Sequence, residues 1–126
     1  MEISVTRIAD VVLLRLVGDF KARKEFAAIF WSHFHRGRSK FLLNFDGVRA
    51  INSHGLQALL EFNRLAEAAG GALRLCGVSD GLTKVFKAAR VIEVFAIRED
   101  EDTALVELLG GLPTDSDIST ISRYRN

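Results

Sequence analysis

With 17 Lys and Arg set against 16 Asp and Glu, the 126-residue chain carries a net charge of +1, so its bulk charge recruits neither nucleic acid nor an anionic membrane. A hydrophobic content of 48% and a charged content of 26% suit one soluble globular domain, and no apolar run reaches the roughly 18–20 residues that span a bilayer. The N-terminus MEISVTRIAD lacks a signal-peptide pattern and the single cysteine, Cys76, has no partner in the chain, so a cytosolic protein with a reduced core thiol is expected.

Glu2 to Ile8 alternates apolar and polar residues, the period of a half-exposed strand. Ala9-Asp10 offers a tight turn into Val11 to Val17, a nearly continuous apolar strand that Gly18-Asp19 ends. From Ala22 to His35 the set Phe26, Ile29, Phe30 and Phe34 marks one helical face, with Trp31 off the stripe and expected against a neighbouring element. Arg36-Gly37-Arg38 closes that helix with cations at its negative end. Phe41-Leu42-Leu43 opens a buried strand that runs through Asn44-Phe45 to a turn signal at Asp46-Gly47. Helical spacing then sets in at Leu56, Leu59 and Leu60, and the helix from about Ser53 to Ala69 is stopped by Gly70-Gly71.

Ala72 to Val78 is a further buried strand, and Leu82, Val85, Phe86 and Ala89 mark a short helix capped by Ser79 or Asp80. A short strand over Val94 to Ile97 precedes a last helix, capped by Asp102 or Thr103, carrying Leu105, Leu108 and Leu109 and ended by Gly110-Gly111. The predicted order is ββαβαβαβα: an α/β domain over residues 1–112 with a mostly parallel sheet of about five strands and helices packed against it. Residues 113–126, poor in apolar side chains, are expected to form a polar tail.

Few residues are arranged for catalysis. His33 and His35 point to different faces of a helix and read as a solvated helix end rather than a metal pair. Glu99-Asp100-Glu101-Asp102 complements a helix dipole as a solvated acidic run, and the paired glycines are helix ends rather than phosphate cradles. No converging acid, base and nucleophile is visible, so no enzyme, cofactor or metal is expected.

The exception is Asn52-Ser53-His54-Gly55, a polar junction where a strand hands over to a helix. Unpaired N–H groups and the positive dipole end meet there, making it a seat for an anion. Ser53, or Asn52 beside it, serves locally as an N-cap. A phosphate on Ser53 would bring about −1.5 to −2 charge to those donors without harming the helix, while confronting any partner docked on Leu56 with a desolvated dianion.

With those residues in place, the chain resembles the STAS domain, the family of bacterial anti-sigma factor antagonists. The likeness covers roughly residues 3 to 110: the turn Gly18-Asp19-Phe20, the strand before the junction, the Gly-Gly after its helix, and the segment Leu73 to Ala89. The family's Asp-Ser-Ser/Thr-Gly-Leu-Gly junction corresponds to Asn52-Ser53-His54-Gly55-Leu56-Gln57, which puts the family's phosphorylated serine at Ser53. Asn52 and His54 depart from that pattern, and Gly18-Asp19-Phe20-Lys21 replaces the usual Gly-Glu-Leu-Asp; with Arg49, these changes make this end of the sheet less acidic. The resemblance implies a non-enzymatic switch: the antagonist binds an anti-sigma kinase, phosphorylation of Ser53 ends the complex, and a phosphatase resets it. The partner surface would comprise Asp19, Lys21, Arg49, Asn52, His54, Gly55, Leu56 and Gln57. The alternatives are a constitutive STAS subunit of a transporter assembly, such as a lipid-moving ATPase complex, and a small-ligand or nucleotide-binding STAS domain. Trp31 and an exposed edge strand leave room for a homodimer.

Overall fold

A computed structural model of the chain describes residues 1–21 and 24–110. The expected tail over 113–126, Gly111 and the first residues of the predicted first helix (22–23) lie outside the described residues. The elements follow as β1 (Glu2–Ile8), β2 (Val11–Phe20), α1 (Lys24–Phe34), β3 (Lys40–Ile51), α2 (Ser53–Ala68), β4 (Ala72–Cys76), α3 (Asp80–Ala88), β5 (Ala96–Arg98) and α4 (Glu101–Leu108), in the predicted ββαβαβαβα order.

The strands lie side by side in chain order, β1-β2-β3-β4-β5, with β1 antiparallel to β2 and every later pair parallel. Each parallel strand is added on the same side of its predecessor, so right-handed crossovers carry α1, α2 and α3 to one face. That face holds the larger core: Phe26 and Phe30 of α1, Leu59 and Phe62 of α2, and Leu82 and Phe86 of α3 close over Val12, Leu14, Phe41, Leu43, Leu73 and Leu75. α4 covers part of the opposite face, where Ala104, Leu105 and Leu108 meet Ile8, Val11, Leu13, Leu42 and Cys76. Alternation along β2 sends Val12, Leu14 and Leu16 to one core and Val11 and Leu13 to the other, which is why it reads as an unbroken apolar run.

Aromatic packing anchors α1 and α2. The Phe30 ring lies 4.2 Å from Phe62 and 4.6 Å from Phe41 between centroids, and each buried phenyl contributes about 1.5–3 kcal/mol through area removed from water. Trp31, half-buried, meets Phe62 edge-on at 6.0 Å, the neighbouring-element contact expected for it. The α1 stripe holds with Phe26 and Phe30 buried and Ile29 and Phe34 half-buried, whereas Val85 of α3 is 40% exposed rather than part of the core stripe.

Several boundaries move. Gly18-Asp19 does not end β2: Gly18 takes a φ of 113° and pairs with Val48, and the ladder continues to Phe20 opposite Ile51. Asp46-Gly47 is not a turn either, because β3 runs on to Ile51 and absorbs its extra residues as register shifts against β2. Gly47 is needed there: a Cβ would sit 2.8 Å from the Leu16 carbonyl oxygen and from Val17 Cγ2. β4 stops at Cys76, before Gly77 at φ 67°, and β5 occupies Ala96–Arg98 instead of Val94 to Ile97. The last helix begins earlier than expected, because Asp100, not Asp102 or Thr103, is its N-cap and accepts the Thr103 N–H at 2.8 Å. Ser79 caps α3, accepting from the Leu82 N–H at 3.2 Å.

Candidate functional site

Ser53 is the first residue of α2, at the end where β2 and β3 finish together. The backbone N–H of Asn52 donates to the Phe20 carbonyl at 3.2 Å, locking the strand-to-helix junction onto the end of β2. Asn52 is the N-cap: its Oδ1 accepts the Gly55 N–H at 2.8 Å. That leaves Ser53 without the capping duty, and its side chain is exposed. Two facts set the local electrostatics: the 16-residue helix aims its positive end here, and no acidic residue stands in its first turn.

Gly55 is buried, and a Cβ on it would overlap the Phe20 carbonyl oxygen and lie 2.7 Å from the Phe20 ring. Among the residues expected to meet a partner, Gly55 is therefore the one beneath the surface, letting α2 approach the sheet. Asn52, His54 and Gln57 are exposed and Leu56 is half-buried, so the surface around Ser53 is polar with an apolar margin. Asp19 stands between two cations, its carboxylate 3.9 Å from Lys21 Nζ and 3.8 Å from Arg49 Nε. These long, exposed pairs add little stability, but they show that Lys21, Arg49 and Asp19 share one patch at the end of β2 and β3.

A cavity of about 500 Å³ opens beside α4, away from Ser53, lined by Arg15, Asn44, Asp46, Cys76, Gly77 and residues 99–102. Cys76 is buried and unbonded, and burial first, then the charges of Glu101, Asp46 and Asp100, pushes its thiol up to about 12. A thiol so high is not a nucleophile near neutral pH. The acidic run expected to be merely solvated does more: Asp100 caps α4, and Glu101 accepts from Arg15 at 3.0 and 3.1 Å across 86 residues of sequence. His33 also departs from the solvated helix end: it is half-buried, with Nδ1 2.6 Å from Arg38 Nη1. The Arg15–Glu101 pairing has no sequence signal, since nothing local announces which strand a distant arginine will face; Arg38 reaches His33 from the loop that directly follows its helix. Among the described residues no cluster of His, Cys, Asp and Glu could hold a metal ion, and no helix is long and apolar enough to cross a membrane.

A β-hairpin continued by parallel strands, three helices on one face and one on the other define the α/β fold of the anti-sigma factor antagonist SpoIIAA. The chain belongs to the STAS domain family, whose model matches residues 2–104. That family of anti-sigma antagonists is generally non-enzymatic. Among solved structures, the chain is similar to an anti-sigma-factor antagonist (STAS) domain protein from Planctomyces limnophilus, at 20% identity and a TM-score of 0.72 over 86% of this chain and 98% of that one. It is also similar to the Bacillus cell fate determinant SpoIIAA in its phosphorylated form, at 18% identity and 0.68 over 86% and 99%. A sulfate transporter family protein from Wolinella succinogenes reaches 25% identity and 0.66 over 80% and 86%. No curated protein sequence matches the chain. At these identities the first two establish the shared fold.

Proposed function

We propose that this domain is a partner-switching module of the anti-sigma factor antagonist kind, binding an anti-sigma kinase through the surface around Ser53 and released when Ser53 is phosphorylated. The observation that carries the reading is the exposed Ser53 side chain on the first residue of a 16-residue helix with no acid in its first turn. A neighbouring side chain, Asn52, already does the capping, so Ser53 can be esterified without loss of the N-cap. The added dianion meets the helix N-terminus, with Lys21 and Arg49 on the adjoining patch. A partner covering His54, Leu56 and Gln57 would have to desolvate that charge, and the complex would dissociate without any refolding of the domain. In this scheme the domain is substrate and binder, a kinase supplies the phosphate from ATP, and a phosphatase removes it. The likeness to SpoIIAA, a protein with a phosphorylated form, supports the scheme.

The test is a pulldown with Ser53→Ala and Ser53→Glu, together with mass spectrometry of the wild-type chain for phosphate on Ser53. Ser53→Ala should retain a partner that Ser53→Glu loses; equal capture by both sinks the switch. A second reading, a constitutive STAS module of a transporter assembly, is favoured by the likeness to the sulfate transporter family protein. Co-purification with a transporter or ATPase component, insensitive to Ser53→Glu, would select it.

A further inference from the structure

Most of the basic side chains that pack on the sheet face a carboxylate. Arg15 faces Glu101, Lys40 faces Asp10, and Arg74 and Arg98 share Glu107, just as Lys21 and Arg49 share Asp19. The pattern breaks at the end of the sheet opposite Ser53. Arg7 of β1 pairs with Val12, which pairs with Phe41; both partners lie in the core beneath α1, so Arg7 projects on the α1 side. There α1 ends at His33 and Phe34, and the backbone N–H groups of Arg36 and Arg38 both donate to the His33 carbonyl at 3.1 Å, folding the loop back over the last turn. The Arg38 guanidinium then reaches His33 Nδ1 at 2.6 Å. A guanidinium only donates, so Nδ1 is the acceptor and the imidazole is the neutral Nε2–H tautomer. Burial, and then the positive charges of Arg38, Arg36 and Arg7, hold the His33 pKa below its ordinary value.

Among the described residues none of Arg7, Arg36 and Arg38 forms an ion pair, and Asp10, the carboxylate of the adjacent turn, is taken by Lys40 at 2.9 Å. The negative end of the α1 dipole accounts for two arginines in the loop that follows it. It does not account for Arg7, which the sheet delivers from another element. Guanidinium forks arriving from a strand and a loop, one of them fixed by a histidine, suit a tetrahedral oxyanion better than a single carboxylate. We infer that Arg7, Arg36 and Arg38, arranged about His33, form a binding site for a phosphate group, distinct from Ser53 and independent of its modification.

Two sources carry that chemistry, a soluble phosphate and a phospholipid headgroup. The test titrates inorganic phosphate into the full chain at constant ionic strength and follows the amide resonances of Arg7, His33, Arg36 and Arg38 by NMR. Saturable shifts are expected in the wild type and in Arg64→Gln, an exposed arginine on α2. Arg7→Gln and Arg36→Gln should weaken binding about tenfold or more, and bound phosphate should raise the His33 pKa, a change that a structural role alone would not produce. Arg38→Gln also removes the contact to His33, so its unfolding is recorded beside its binding, and the other two variants decide the outcome. In parallel, vesicles of phosphatidylcholine with and without phosphatidylglycerol are sedimented with the protein. Saturation by phosphate without vesicle binding assigns a soluble ligand, and arginine-dependent binding to phosphatidylglycerol vesicles assigns a headgroup. Unsaturable shifts with no anionic vesicle binding, or affinities unchanged by Arg7→Gln and Arg36→Gln, overturn the site.

Discussion

Asn52 and Ser53 divide a task that one residue often performs alone. Asn52 caps α2 through the Gly55 N–H, and its loss in Asn52→Ala should lower stability by about 1 kcal/mol, read as a shift in urea midpoint at constant m. Asn52→Asp, which keeps an acceptor oxygen, should retain most of that stability. His33 supplies a residue-scale pH effect. Its pKa is lowered in the native state, so between the native value and the ordinary 6.5 the unfolded chain binds more protons than the folded one. The resulting stability is fully present above about pH 6.5, as given by the ordinary imidazole value, and declines as pH falls through it toward the native pKa. His33→Asn should therefore flatten the dependence of unfolding free energy on pH below neutrality; a curve parallel to the wild type would show that the ring titrates normally.

At the scale of elements, α4 is the least insulated helix, because it packs on the sheet face that α1, α2 and α3 leave open. Its hold combines Leu105 and Leu108 in the smaller core with Glu101 on Arg15 and Glu107 on Arg74 and Arg98. The ion pairs are at least partly exposed and contribute little, so the leucines should dominate. Leu105→Ala is expected to cost about 2–5 kcal/mol and Arg15→Ala about 1 kcal/mol or less, both measured by chemical denaturation. Comparable losses from the two would reverse the assignment of what fixes α4. The core stripe of α1 was legible as spacing through Phe26 and Phe30, but for α2 the expected set Leu56, Leu59 and Leu60 was right only at Leu59: Leu56 and Leu60 are half-buried, and Phe62 and Ala66 complete the buried face. The Asp46-Gly47 signal misled because the turn preference of a dipeptide is weaker than an uninterrupted ladder on β2, which takes the extra residues as bulges. For α4, the acidic run offered several capping residues within one turn, and local chemistry does not choose among them.

For the whole molecule, Cys76 reports on global unfolding. It is 1% exposed beneath α4 and its thiol is pushed up to about 12, so iodoacetamide should leave it unmodified in the native state and label it in step with the unfolding transition. Labelling well before that transition would reveal detachment of α4 as a separate event. The net charge of +1 also conceals a polarity: cations near Ser53 and α4 each face a carboxylate, some of them sharing one, while Arg7, Arg36 and Arg38 lie at the opposite end. A sum over residues cannot show this, because Arg7 and Arg38 become neighbours only through pairing of β1 with β2 and the crossover of α1. Periodicity, caps and turn residues settled the order of elements and the strand-to-helix junction at Ser53, since these are interactions among residues close in the chain. The pairing of Arg15 with Glu101, the burial of Gly55 against Phe20 and the placing of Arg7 on the α1 side of the sheet were decided by the tertiary structure. Those contacts depend on strand register and crossover geometry, which bring together side chains that no local pattern links.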